Sequence, residues 1–258
     1  MDFMSIIGIS CGFGMYAWGI YEGGAMKAFL NPHGIVLVVV GTIFASMLTC
    51  PPESLLDFLR AGLRGVFMKP KGPDANDIIT IVGNLAKAAR QNGFDSLEKE
   101  VHSVPDDGFI MRAFRTCLTS PDEITARNIL ERELMQTDSR HREIIAVYKT
   151  MGLITPMMGL LGTVIGIVSV LRNISDPSQV GSSMGVAMST AFYGILLSGF
   201  VFTPMAGKLR LRHHGELLGK ELALEGLLAL QFTNLSPRVI ERRLISYLRG
   251  GAITSHLK

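Results

Sequence analysis

Thr155, Thr163 and Ser169 are the polar side chains of a strongly apolar stretch that also holds Pro156 and glycines at 159, 162 and 166. Hydroxyl oxygens can ligate a hard cation without adding charge. A proline inside a helix removes one N–H and frees the carbonyl four residues earlier, here that of Gly152. A second apolar stretch offers the same two kinds of group, Thr190 and Pro204, with Phe200 as the freed carbonyl. Thr163 follows Pro156 by about two helical turns and Thr190 precedes Pro204 by about four, so two opposed helices could bring both hydroxyls to one depth. Three plainer readings stay open. Each hydroxyl could bond its own i−4 carbonyl, Gly162-x-x-x-Gly166 could serve packing alone, and the prolines could be simple kinks.

Other candidates carry less. Gly162-Thr163 is no phosphate loop, because no Gly-Lys-Ser/Thr follows and the surroundings are too apolar. Cys11, Cys50 and Cys117 stand singly, without metal-ligand or redox spacing. His213 and His214 are adjacent, point in different directions on a helix and are expected to be solvated. Arg90 and Glu98 flank a helix stop at Gly93, and alone such charges read as a wet face. No constellation of nucleophile, base and oxyanion donors is readable, so neither an enzyme nor a cofactor is expected.

The elements that position these groups follow from where charge is missing. Hydrophobic residues make up 48% of the 258, too many for an ordinary soluble domain. No Asp, Glu, Lys or Arg occurs from Phe3 to Tyr21, Ala28 to Pro52, Thr150 to Leu171 or Pro177 to Gly207. Each stretch is long enough to cross a bilayer, which takes roughly 20 residues. Asp2 stands where a signal peptide would be basic, so the first stretch is read as a retained helix. Of 25 basic residues, 14 fall within 51–149 and nine within 208–258, which places both segments and both termini in the cytoplasm. The net charge of +3 needs no nucleic acid, since basic flanks are a topology signal first.

The expected fold is therefore all-α: a polytopic membrane protein with four transmembrane helices and a helical cytoplasmic domain. Residues 1–50 form the first two spans, 51–149 the cytoplasmic domain, 150–207 the last two spans and 208–258 a helical tail. In the insert, Leu55, Leu56, Leu59 and Leu63 share a helix side beyond Pro51-Pro52, and a capped helix runs from Asp74 to Gln91 with Gly93 as its stop. Another helix starts at Ser120-Pro121-Asp122-Glu123 and continues without a breaker toward the third span. Lys208–Phe232 and a short helix opened by Ser236-Pro237 complete the tail. None of the spans carries an ionisable carboxylate, Lys or Arg, the groups that ion-driven transporters place at membrane depth. Either the chain moves no ions or a partner helix supplies the acid.

Several segments together resemble the MotA/PomA family of flagellar stator A subunits, and more distantly the ExbB and TolQ energy transducers. They are Thr155-Pro-Met-Met-Gly-Leu-Leu-Gly-Thr-Val-Ile-Gly166, Asp176-Pro177, Ala187-Met-Ser-Thr-Ala-Phe-Tyr-Gly194 and Pro204-Met-Ala-Gly-Lys-Leu209. Gly34 to Thr42, Ala89 to Glu98 and Ser236 to Leu244 agree as well, so the resemblance covers most of the chain. It implies a bacterial inner-membrane protein that forms a pentameric ring around a B-type subunit, whose single membrane helix brings an essential Asp. Ion flow past that Asp would turn the ring, and the insert would push on the rotor protein FliG. By the same resemblance Arg90 and Glu98 match rotor-facing positions, and Pro156 and Pro204 match the prolines that couple ion passage to movement. Gln91 departs from the pattern, since many relatives carry a second basic residue there. Thr163 and Thr190 would line the ion pathway. Sodium-type members are similar in having Thr at both positions, so sodium is expected over the proton. The alternatives are an ExbB- or TolQ-like transducer, whose members typically have three spans, and a non-conducting membrane scaffold.

Overall fold

The computed structural model describes residues 3–24, 26–49, 52–68 and 72–248, and every regular element among them is helical. Cys50 and Pro51 lie outside these residues. Helix α1 is Phe3–Glu22, a short α2 is Met26–Phe29, and α3 is Pro32–Met47. Asn31 begins α3: its side chain accepts the Gly34 N–H at 3.3 Å, and Pro32 sits in the first turn, where its missing donor is no loss. The second apolar stretch is therefore not one helix from Ala28 onward. Its continuous part has 16 residues and is about 24 Å long.

The remaining elements are α4 (Pro52–Phe67), α5 (Ala75–Asn92), a 3-10 turn (Phe94–Leu97), α6 (Glu98–His102), α7 (Phe109–Thr119), α8 (Glu123–Arg172), α9 (Pro177–Leu197), a π-helical turn (Ser198–Phe202), α10 (Thr203–Phe232) and α11 (Pro237–Ile245). At 50 residues α8 runs unbroken through Pro156 for about 75 Å. Only 22% of the most apolar window is buried, both in α8 and in Pro177–Phe232. A soluble core helix would bury most of such a window, so these side chains face lipid or other chains. The fold is that of an all-α polytopic membrane protein.

The chain divides into two compact units, Met1–Lys69 with Arg142–Arg210 and Pro70–His141 with Leu211–Lys258. In the first, Val66, Tyr148, Met205, Ala206 and Leu209 make one buried cluster, and Leu55, Val147 and Met151 make another. Helix α4 fits against α8 because Gly62 leaves room for the Tyr148 ring, whose Cε2 would stand 2.0 Å from a Cβ added there. The buried Tyr148 hydroxyl donates to the Leu59 carbonyl at 2.8 Å, so the phenol's polar end is satisfied.

The second unit packs α5, α7, α11 and parts of α8 and α10 around Ile79, Val82, Phe114, Leu130, Leu227 and Leu244. Helix α5 starts where the capping residues place it, with the Asp74 N–H donating to Asp77 Oδ2, and ends at Gly93 with φ of 84°. Lys220 is buried between Asp107 at 2.6 Å and Glu216 at 2.7 Å. Burial alone would lower its pKa, but the two carboxylates together raise it. His213 corrects the expectation of a solvated pair. Only His214 is exposed, whereas the His213 ring is half-buried, meets Asp138 at 2.8 Å through Nε2 and meets His141 at 3.2 Å through Nδ1. Burial, with His213, Lys220 and Arg140 nearby, holds the His141 imidazole below its usual pKa against the pull of Glu216.

Gly62→Ala is expected to destabilise the purified protein by about 1–3 kcal/mol, because a methyl there must displace a locked ring. Gly83→Ala, with nothing within 4 Å of the added carbon, is the control and is expected to leave the thermal midpoint unchanged or higher. Equal midpoints for wild type and Gly62→Ala would remove the role given to this contact.

Candidate functional site

Thr155, Thr190 and the glycines at 159, 162 and 166 meet along one antiparallel seam between α8 and α9. Its closest approaches are made at glycines. A Cβ added at Gly166 would lie 2.5 Å from Ala187 Cβ, one at Gly162 2.5 Å from Thr190 Cβ, and one at Gly159 2.8 Å from the Thr190 carbonyl. Gly194 approaches the backbone of Thr155 and Gly159 to about 3 Å in the same sense. Residue numbers rise on α8 as they fall on α9, one helical turn at a time. Gly162-x-x-x-Gly166 is thus the close-packing face its spacing suggested.

Helix α3 closes the third side. Gly34 lies under Thr190 and Ser189, and Gly41 lies under Met158. Tyr193 fixes this arrangement at the far end, its hydroxyl accepting from the Asn31 N–H and donating to the Phe29 carbonyl.

The two threonines occupy different surroundings. Thr190 is fully buried against Gly162 and Gly34, and its hydroxyl donates to the Ala187 carbonyl at 2.9 Å. Thr163, next to Gly162, is turned about 100° around α8, is partly exposed, and donates to the Leu160 carbonyl at 2.6 Å. Both hydroxyls bond their own helix, at i−3 rather than i−4. That bond uses the proton only, so each oxygen keeps lone-pair capacity for a cation. Thr155, also fully buried, donates to the Met151 carbonyl.

The prolines come next. Pro156 frees the Gly152 carbonyl, and the Ser198 hydroxyl of the facing helix donates to it at 2.6 Å. Ser198 opens the π turn that precedes Pro204, and a Cβ added at Gly152 would lie 2.9 Å from Thr203 Oγ1. The two proline-altered turns are therefore in contact, joined by one side-chain hydrogen bond. Ser198 was not among the residues singled out from the sequence. The available signal was that it is the only polar side chain between Tyr193 and Thr203.

Arg90 and Glu98 lie in the second unit and are both exposed. Glu98 meets Arg115 at 3.3 Å, with both side chains more than half exposed. A pair so open to water is worth about 0–1 kcal/mol and stays available to other charges.

At the seam, substitution is expected to depend on what the new carbon meets. Gly162→Ala and Gly166→Ala each force α8 and α9 apart, with an expected loss of about 1–3 kcal/mol in thermal unfolding of the purified protein. Gly181→Ala, which meets nothing within 4 Å, is expected to match wild type. Similar midpoints for all three variants would mean that the seam tolerates separation.

Comparison with known proteins agrees with this geometry. Residues 102–221 match the MotA/TolQ/ExbB proton channel family. The chemotaxis protein PomA of Vibrio alginolyticus is 32% identical, over 97% of this chain and 97% of its own. Motility protein A of Treponema pallidum (strain Nichols) is 31% identical, over 96% of this chain and 94% of its own. Among solved structures, the flagellar MotAB stator complex from Bacillus subtilis superposes with a TM-score of 0.86 at 26% identity, covering 96% of each chain. MotAB of C. jejuni gives 0.85 at 21% identity, a likeness of fold. Matched over nearly the whole length of these relatives, the chain belongs to the MotA/TolQ/ExbB proton channel family, on the branch of PomA and motility protein A.

Proposed function

We propose that this chain is the A subunit of an ion-driven flagellar stator and forms an ion channel together with a B-type subunit. The observation that carries the reading is the near full-length match to PomA and motility protein A. It favours the stator over the ExbB or TolQ transducer and over a passive scaffold, and it gives no reason to expect an enzyme. The apolar stretches supply neutral oxygens and no carboxylate, so a proton or cation pathway needs an acid from a partner. A B-type helix bearing an Asp fits that need. A ring of five A subunits would enclose such helices, with the small-residue faces giving the close contacts that association in lipid requires.

In this reading α1, α3, the Thr150–Leu171 part of α8, and α9 with the π turn are the four spans. The protein sits in the bacterial inner membrane with both termini in the cytoplasm. Arg90 and Glu98 face the rotor protein FliG, and charge contacts of this kind govern encounter and register more than folding. One charge crossing 100 mV releases about 2.3 kcal/mol, comparable with the hydrogen bonds and close contacts at the proline turns.

Sodium is the favoured ion. Thr163 offers its oxygen from the open side of α8, and Thr190 can follow only when the seam parts at Gly162. The test is motor speed against external sodium at fixed pH and membrane potential, in cells whose only stator contains this chain. Wild type is expected to slow as sodium is withdrawn, and Thr163→Ala to need more sodium for the same speed. Rotation that persists unchanged without sodium would assign the proton instead. Arg90→Glu and Glu98→Lys are expected to reduce torque while the complex still assembles, and normal swimming by both would remove their rotor role.

A further inference from the structure

We propose that Ser198 is a positioning residue that couples the two proline turns, its hydroxyl acting as the replaceable donor for the carbonyl that Pro156 leaves open. The inference rests on the stator reading given above. In an unbroken helix the Gly152 carbonyl would take the N–H of residue 156, and Pro156 has none. In a membrane an open carbonyl must find another donor inside the protein. The donor comes from the other helix: Ser198 Oγ stands 2.6 Å from the Gly152 oxygen, across 46 residues of sequence.

Three observations make this more than a local cap. Ser198 is the first residue of the π turn, and the Thr203 N–H that closes the turn donates back to the Ser198 carbonyl. Its side chain and its backbone thus serve both helices at once. Gly152 is buried and has no side chain, so Thr203 Oγ1 comes close enough that even a methyl could not be added without a shift. Finally, Pro204 adjoins Thr203 and removes a second donor from the same turn. Displacement of the Pro156 turn pulls on Ser198, and through the π turn on Pro204. A side-chain hydroxyl can break and re-form this bond by rotating about χ1, which a backbone N–H locked in a helix cannot do. The bond is therefore a releasable link between the two altered turns.

The experiment uses the complete complex of this chain with its B-type partner and compares wild type, Ser198→Ala and Ser198→Thr. Stall torque per stator is read on a bead-loaded motor, and ion flux is read in membrane vesicles carrying the same complex. Ser198→Ala is expected to cut torque by up to about tenfold, the factor corresponding to one hydrogen bond. Flux per complex is expected to hold, and Ser198→Thr, which keeps the hydroxyl, to restore torque. A residue that merely supports the fold would lower torque, flux and assembled complex together, and that result overturns the proposal, as does unchanged torque in Ser198→Ala. A second measurement addresses the bond itself. In thermal unfolding, Ser198→Ala is expected to lower the midpoint beside Pro156 but to have little effect beside Pro156→Ala, where the restored N–H takes the Gly152 carbonyl. Equal effects in both backgrounds also overturn the proposal. Failure of the stator reading looks different: wild type itself would give no partner-dependent torque.

Discussion

Two helices in lipid gain little from apolar contact as such, because the surrounding chains are equally apolar. What remains is distance. Along α8 and α9 the glycines at 159, 162, 166 and 194 remove the side chains that would hold the backbones apart, and much of the first unit depends on that approach. It seals Thr190 from solvent, brings Gly34 of α3 under the same residue, and sets the register that delivers Ser198 to the Gly152 carbonyl. A wider seam would leave that carbonyl without its donor. The prolines are thus compatible with a packed membrane helix because the glycines nearby keep the helices close.

The same seam accounts for what the chain lacks. Where the two helices are in backbone contact there is no space for an ionisable side chain, and the hydroxyls of Thr155, Thr163 and Thr190 give their protons to carbonyls of their own helices. Neutral oxygens can receive a cation but cannot replace an acid. The motor-type reading therefore divides the work between two kinds of subunit, with packing and hinge elements here and charge elsewhere. In the second unit, by contrast, charges are numerous and many are paired at the surface or in short networks, such as Lys220 with Asp107 and Glu216. Exposed Arg90, and Glu98 in its open pair with Arg115, remain accessible to a charged partner.

What the sequence disclosed followed the range of the interactions involved. Helix α5 was readable to its ends because Asp74 and Gly93 act within four residues, and α8 was readable because nothing after Glu123 breaks it except a proline that lipid-embedded helices tolerate. The break at Asn31-Pro32 is equally local, an Asn cap followed by a first-turn proline, although the charge-free run around it begins at Ala28. Helix α7 carries Ile110, Ala113, Phe114 and Cys117 at helical spacing, but its 11 residues are too few for that pattern to stand out from its surroundings. The burial of His213 depends on Asp138, 75 residues away, and the pairing of Ser198 with Gly152 depends on an antiparallel register. No local pattern contains either. The residue types of the site were therefore legible, and the bond that joins its two prolines was not.

The central claim is that this chain supplies the body of an ion channel but not its titrating acid. Ion flux into sealed vesicles tests it most directly, measured for the chain alone and for the chain assembled with a B-type subunit, at equal amounts in the membrane and an imposed potential. The account predicts flux only in the assembled complex, and its loss when the partner's membrane Asp is replaced by Asn. Flux of the same size through the chain alone would contradict it.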